Sequence, residues 1–279
     1  MREILQRDIP RIGARHEIDA ATARIEVQTL LQHVLQVPRA YLLAHPEQVP
    51  DSKQLAAYDA ILQRRLQGEP IAYLLGEREF FGLNFHVTPA TLIPRSDTEL
   101  LVELALQRLP QGKACRVLDM GTGSGAIALA VAHSRPDAAV TAIDASEAAL
   151  EVARENVHRL GVSNVNFLHS NWFSALDGQR FDLIVSNPPY VRAGDVHLTQ
   201  GDVRFEPISA LASGADGLDD IRSIISSAGA YLEQGAWLLL EHGYDQAQSV
   251  QELLQQKNYV RIFSAKDIAG IDRVSGGVK

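Results

Sequence analysis

Apolar residues recur at spacings of three and four through the first quarter of the chain. Ala20, Ala23, Val27, Leu30, Leu31 and Val34 fall on one helix face, and Leu55, Tyr58, Leu62 and Leu66 repeat the pattern. Pro38, Pro46 and Pro50 separate these segments, because proline cannot continue a helix interior. Residues 1–75 therefore read as a small helical bundle. His33 lies near its apolar stripe with no partner at ligand spacing and reads as structural.

The pattern changes over residues 76–95. Phe80, Phe81, Leu83, Phe85 and Val87 around Gly82 predict a β-hairpin connector. Ser96-Asp97-Thr98-Glu99 has the S-x-x-E form of a capping box and predicts a helix running to about Leu109. From Cys115 onward strands and helices alternate. Strands are predicted over 115–120, 139–144, 165–169, 181–186, 236–241, 259–264 and 274–279, and helices over 126–134, 147–160, 221–232 and 246–257. Gly161 is placed to end the second of these helices. Such alternation predicts an α/β fold over 96–279, a doubly wound, Rossmann-like sheet with helices on both faces.

Composition narrows the class. With 279 residues and 46% apolar content, the chain can build one large domain or two unequal ones. Its net charge of −8 weighs against nucleic acid as partner, since phosphate contacts call for a basic face. The single cysteine, Cys115, excludes an internal disulfide framework and reads as a small core hydrophobe. Arg2, Glu3, Arg7 and Asp8 crowd the N-terminus, and no secretory apolar core follows. No stretch approaches the roughly 18 apolar residues that span a bilayer. The expectation is a soluble cytoplasmic protein.

Two motifs carry chemistry. The first, Asp119-Met120-Gly121-Thr122-Gly123-Ser124-Gly125, ends the first predicted strand of the alternating region. In open α/β sheets ligands bind beyond the carboxyl ends of strands, and glycines let a backbone approach them closely. Asp144 ends the next strand, where a carboxylate can accept hydrogen bonds from both hydroxyls of a ribose. Gly121-x-Gly123-x-x-Ala126 also satisfies a dinucleotide fingerprint, so the glycines alone leave NAD(P) and S-adenosylmethionine open. Asp119 tips the reading to the methyl donor: a carboxylate there suits a positively charged methionine portion and is awkward beside a pyrophosphate. Trp172, after the third strand, offers a ring to pack on adenine.

The second motif, Asn187-Pro188-Pro189-Tyr190, follows the fourth strand. An amide or aromatic NH2 is a poor nucleophile because its lone pair is delocalised. The Asn187 side-chain oxygen and the Pro188 carbonyl can each hold one N–H and aim the nitrogen at a sulfonium methyl. The prolines stiffen the loop, and Tyr190 offers a flat face to a planar acceptor. Glutamine amide and adenine amine both satisfy this clamp. The acidic net charge, with no added basic target-recognition region after residue 190, favours a protein acceptor. An oxidoreductase and a non-catalytic binding module are the readings from other classes. The first lacks a catalytic Tyr-x-x-x-Lys pair, and the second has no use for the clamp.

The chain resembles the glutamine methyltransferases of peptide chain release factors, the PrmC/HemK family. The resemblance is carried by Leu92-Ile93-Pro94-Arg95 with Thr98-Glu99, the glycine motif, the Asn187–Tyr190 motif, Val203-Arg204-Phe205-Glu206-Pro207, Gly214 to Asp219, and Leu240-Glu241-His242-Gly243. Ser96 departs from it, proline being expected there more often. The resemblance implies that the substrate is the glutamine of the release-factor Gly-Gly-Gln loop, methylated on its side-chain amide nitrogen. Gly121 to Gly125, Asp144 and Trp172 would bind S-adenosylmethionine. Asn187, Pro188, Pro189 and Tyr190 would hold the glutamine amide, with Asn187 also bordering the donor. The N-terminal bundle would dock the release factor, because one glutamine side chain gives little recognition surface. Neither a metal nor a membrane is expected. Arg204 and Glu206 read either as part of a cleft or as a structural ion pair.

Overall fold

The computed structural model describes residues 1–110 and 112–279. One unit, Met1–Gly76 with Thr199–Phe205, is built on five helices: α1 (Arg2–His16), α2 (Ala20–Leu35), α3 (Arg39–Ala44), α4 (Ser52–Leu66) and α5 (Ile71–Leu75). Asp19 starts α2 by accepting from the N–H groups of Ala21 and Thr22, and Asp51 with Gln54 forms a reciprocal capping box at α4. Ala23, Val27, Leu30, Leu31, Tyr58 and Leu62 share one apolar core, as their spacing predicts, while Ala20 at the mouth of its helix is exposed. Two buried charges are paired inside this unit. Asp8 accepts from Arg7, Arg11 and Tyr58. Arg65 pairs with Glu26 and with Asp202, each at 2.8 Å.

The other unit, Glu77–Leu198 with Glu206–Lys279, begins with an antiparallel hairpin of β1 (Glu77–Phe80) and β2 (Leu83–His86). The capping box expected at Ser96 is not made. Ser96–Thr98 is a 3-10 turn, and α6 (Glu99–Arg108) starts without a side-chain cap. Glu99 instead accepts the Phe81 N–H at 3.0 Å. The hairpin turn brings an unpaired donor to that carboxylate, and the tertiary partner displaces the local one.

Strands and helices then alternate: β3 (Arg116–Met120), α7 (Ala126–Ser134), β4 (Ala139–Asp144), α8 (Glu147–Leu160), β5 (Val165–His169), β6 (Phe181–Ser186), α9 (Asp219–Ala228), β7 (Leu232–Glu241), α10 (Ala247–Gln256), β8 (Val260–Lys266) and β9 (Asp272–Val278). The predicted helix over 221–232 stops at Ala228, because Leu232 already pairs with Phe181 as the start of β7. The sheet order is β5-β4-β3-β6-β7-β9-β8. β3 to β7 run parallel, and β9 lies antiparallel between β7 and β8.

Both faces are covered, as the alternation predicts. Val117, Val140, Leu183 and Val185 face the layer that contains α6 and α7. Leu118, Met120, Ile143 and Ile184 face the layer of α9 and α10. Strand side chains alternate between faces, so near-continuous apolar runs mark strands buried on both. Cys115 is 2% exposed within the first layer. β3 has β4 on one side and β6 on the other, and chain order reverses there. This is the switch point at which open α/β sheets form a crevice. No helix among the described residues is long and apolar enough to cross a membrane.

Candidate active site

The glycine loop is held from beneath. The N–H groups of Gly121 and Thr122 both donate to the Ile143 carbonyl at 2.9 Å, and the Gly123 N–H donates to Asp144 Oδ2 at 2.9 Å. Gly121, Gly123 and Gly125 have φ of 72°, 57° and 84°, a region in which glycine alone is unstrained. At Gly125 a Cβ would also press on Leu129 and Ala153, so this glycine serves helix packing. Asn156 ties the loop to the hairpin, donating to the Ser124 and His86 carbonyls and accepting the His86 N–H.

Asp119 lies under this loop, fully buried, and does not line a cavity. Its Oδ2 accepts from the Thr122 hydroxyl at 2.6 Å and from the Ala128 N–H at 3.1 Å, which caps α7 from the neighbouring strand. Its Oδ1 is buried without a hydrogen-bond partner. Burial pushes its carboxyl up to about 7. Asp144 also rises through burial, against the N–H groups of Ser146 and Gly123 that favour its charged form. Each of its oxygens accepts one of these bonds and keeps a further lone pair.

A cavity of about 510 Å³ opens over the switch point. Gly121, Gly123, Asp144, Trp172, Asn187 and Pro189 all line it, so six of the sequence-predicted positions meet at one crevice. A smaller recess of about 50 Å³ adjoins it and adds Thr122 and Ser124 with Arg95 and Thr98. Trp172 adopts φ 48°, unusual for a non-glycine residue, and its indole N–H donates to Asp220 at 3.2 Å. A Cβ on Gly121 would project to 3.8 Å from this ring, so the missing side chain leaves a slot between loop and indole.

Asn187 donates from Nδ2 to the Thr98 hydroxyl at 3.2 Å, which leaves Oδ1 unbound among the described residues. The Pro188 carbonyl likewise accepts no backbone hydrogen bond among them. Two neighbouring oxygens are thus without donors. Tyr190 does not line the cavity. Its hydroxyl donates to Glu241 Oε1 at 3.1 Å, its carbonyl accepts from Gln246 at 3.0 Å, and a Cβ at Gly217 would collide with that carbonyl.

An Arg204–Glu206 pair is not formed. Arg204 donates to the Gln67 carbonyl at 2.6 Å, while Glu206 pairs with Arg95 and accepts the Ile93 N–H at 3.2 Å. Sequence reasoning missed Thr98, Asp220, Gln246 and the wall formed by Pro89 to Leu92. None of these stands in a motif whose spacing announces chemistry. Only Glu206 and Glu241 lay in segments that the family resemblance had marked.

Comparison with known proteins places this geometry in context. Residues 13–76 match the family described as PrmC N-terminal domain, and residues 97–204 match Methyltransferase small domain. The chain is 49% identical over 261 residues to the release factor glutamine methyltransferase of Xylella fastidiosa, covering 92% of this chain and 95% of that one. It is 51% identical to the protein of the same name from Vibrio cholerae, over 91% of this chain and 88% of that one. Among solved structures, a methyltransferase from Pyrococcus furiosus superposes with a TM-score of 0.54 at 20% identity, over 78% of this chain and 96% of its own. A 16S rRNA methyltransferase from T. thermophilus, solved with AdoMet and guanosine, superposes with a TM-score of 0.53 at 25% identity, over 73% and 49%.

Proposed function

The chain belongs to the release factor glutamine methyltransferase family, and on that premise we propose that it methylates the glutamine of the Gly-Gly-Gln loop in peptide chain release factors, on the side-chain amide nitrogen, with S-adenosylmethionine as donor. The observation that carries the reading is the pair of donor-free oxygens, Asn187 Oδ1 and the Pro188 carbonyl, beside a cavity walled by the glycine loop and Asp144.

The residues present fit the donor. A cavity of about 510 Å³ is within the usual range for small-ligand sites. Asp144 offers the lone pairs that two ribose hydroxyls need, and the slot beside the Trp172 ring suits a flat base. Asp119 acts beneath the loop, where it fixes Thr122 and the start of α7. When bound, the donor supplies a methyl on a positively charged sulfur; the new C–N bond replaces the C–S bond, and the amide nitrogen releases one proton to solvent.

The protein's part is orientation. Asn187 Oδ1 and the Pro188 carbonyl each accept one N–H of the incoming amide, which presents the nitrogen lone pair to the methyl. Such positioning is worth up to about 7–11 kcal/mol in well-oriented systems. Pro188 and Pro189 keep the clamp stiff, and Tyr190 is held behind it. The helical unit is the docking domain in this reading, because a glutamine side chain alone cannot distinguish one protein from another. The reaction belongs to the cytoplasm.

Transfer of a labelled methyl group from S-adenosylmethionine to three acceptors in parallel tests the reading. They are a release factor, its Gly-Gly-Gln→Gly-Gly-Ala form, and duplex DNA. Label is expected on the first alone. Label on DNA, or on the alanine form, overturns it.

A further inference from the structure

Glu241 ends β7 and is 1% exposed, yet the transfer described above has no step for it. It lies at the back of the clamp. Its Oε1 receives the Tyr190 hydroxyl at 3.1 Å, and its Oε2 is buried without a hydrogen-bond partner. The Thr98 hydroxyl lies against the same carboxyl and favours its charged form, as does Arg273 on β9, while Asp97 opposes it. Thr98 is itself buried, and its Oγ1 accepts from Asn187 Nδ2 at 3.2 Å. One carboxylate therefore stands behind both ends of the Asn187–Tyr190 loop.

The consequence is a fixed hydrogen-bond polarity. A hydroxyl has one proton to give, and an ionised carboxylate can only accept. With the Thr98 proton drawn to Glu241, Thr98 Oγ1 can only accept from Asn187. The Asn187 amide must then turn its nitrogen to Thr98 and its oxygen to the cavity. An oxygen is what an incoming NH2 group needs. In the reverse orientation two NH2 groups would face each other.

We propose that Glu241 is a positioning residue, which sets the polarity of the acceptor clamp through Thr98 at Asn187 and directly at Tyr190. The proposal rests on the reading of Asn187 to Tyr190 as that clamp. A neutral amide at position 241 removes the constraint. Its NH2 can donate to Thr98, Thr98 can then donate to Asn187, and the Asn187 amide is free to invert.

The test uses Glu241→Gln, Thr98→Val and Thr98→Ser in the full chain. For Glu241→Gln, kcat with a release factor is expected to fall about 10²-fold, the scale of a misaligned reacting group. Donor affinity by calorimetry stays at the wild-type value, and the melting temperature does not fall, since a buried charge has been removed. Thr98→Val reproduces the loss of kcat, and Thr98→Ser, which keeps the hydroxyl, restores it. A readout independent of turnover is the Asn187 side-chain amide pair in 15N–1H spectra, assigned by its loss in Asn187→Asp. Its resonances are expected to move in Glu241→Gln and Thr98→Val and to stay in Thr98→Ser. A Glu241→Gln enzyme with the wild-type rate and an unmoved Asn187 signal overturns the proposal. So does a variant that loses donor affinity, melting temperature and rate together, which is the mark of a structural residue. If wild-type protein methylates no Gly-Gly-Gln substrate while the Asn187 signals still move in Glu241→Gln, the relay stands and the assignment of substrate fails.

Discussion

The Asn187 side-chain nitrogen donates to the Thr98 hydroxyl across 3.2 Å, and through this bond a loop after β6 is aligned by a residue 89 positions earlier in the chain. The bond spends the donor end of the amide on the protein and leaves the acceptor end for substrate. Asn187→Ala is therefore expected to abolish measurable turnover while keeping most of the donor affinity. Methyl transfer and calorimetry on the same preparation check this. A rate near wild type would remove Asn187 from the clamp.

Asp144 both faces the cavity and holds the glycine loop through Gly123. Asp144→Ala should weaken donor binding by about 1.5–3 kcal/mol, the worth of a hydrogen bond to a charged group. Asp144→Asn keeps an acceptor and should lose less. Titration calorimetry separates the two, and equal affinity across all three proteins would mean that another group holds the ribose.

Trp172 stands across a slot from Gly121, and the chain's other tryptophan, Trp237, packs instead on Phe263 and Arg108. In a Trp237→Phe background, donor binding is expected to quench the remaining indole fluorescence. Trp172→Ala should cost about 1–3 kcal/mol of donor affinity, the usual scale of base–aromatic stacking. Unchanged emission on saturation with donor would place adenine elsewhere.

Two buried carboxyls give the unliganded protein an unusual pH dependence. Burial raises Asp119 and Glu241 each to about 7, well above ordinary values of 3.8 and 4.5. A carboxyl raised in the folded state binds more protons there than in the unfolded state between these limits. Stability from these groups is thus full below about pH 4 and is lost as pH rises through about 7, by a few kcal/mol overall. The melting temperature should accordingly rise as pH falls from about 7.5 to 5.5, and Asp119→Asn with Glu241→Gln should flatten the slope. A slope that survives both substitutions would assign the effect to other groups.

Asp8 is the buried anion of the helical unit, held by Arg7, Arg11 and Tyr58. Asp8→Ala leaves the buried Tyr58 hydroxyl without its acceptor and the guanidinium groups unneutralised, and should destabilise that unit by about 3–5 kcal/mol. Thermal unfolding followed by circular dichroism checks the loss. Donor binding, which uses residues of the other unit, should persist at temperatures where the bundle is still folded.

The hydrophobic pattern alone determined the strands and helices of the sheet, since strands buried on both faces must be continuously apolar and helices must carry a stripe. It also marked the crevice: glycines and acids at strand ends have few other uses there, and Gly121, Gly123, Asp144, Trp172, Asn187 and Pro189 do meet at one cavity. Only the tertiary structure decided which groups complete the site. Glu99 has the local partner that a capping box requires and bonds Phe81 instead, because the hairpin delivers a stronger claim on its carboxylate. Arg204 and Glu206 are two residues apart and pair with Gln67 and Arg95 respectively. Thr98 and Glu241 have no spacing in the chain that connects them to Asn187 or Tyr190, and the fold brings all four together. Periodicity reports which face of an element is buried. The partner of a buried polar group is chosen by which donors and acceptors the packed elements leave unsatisfied, and that exists only once the chain has folded.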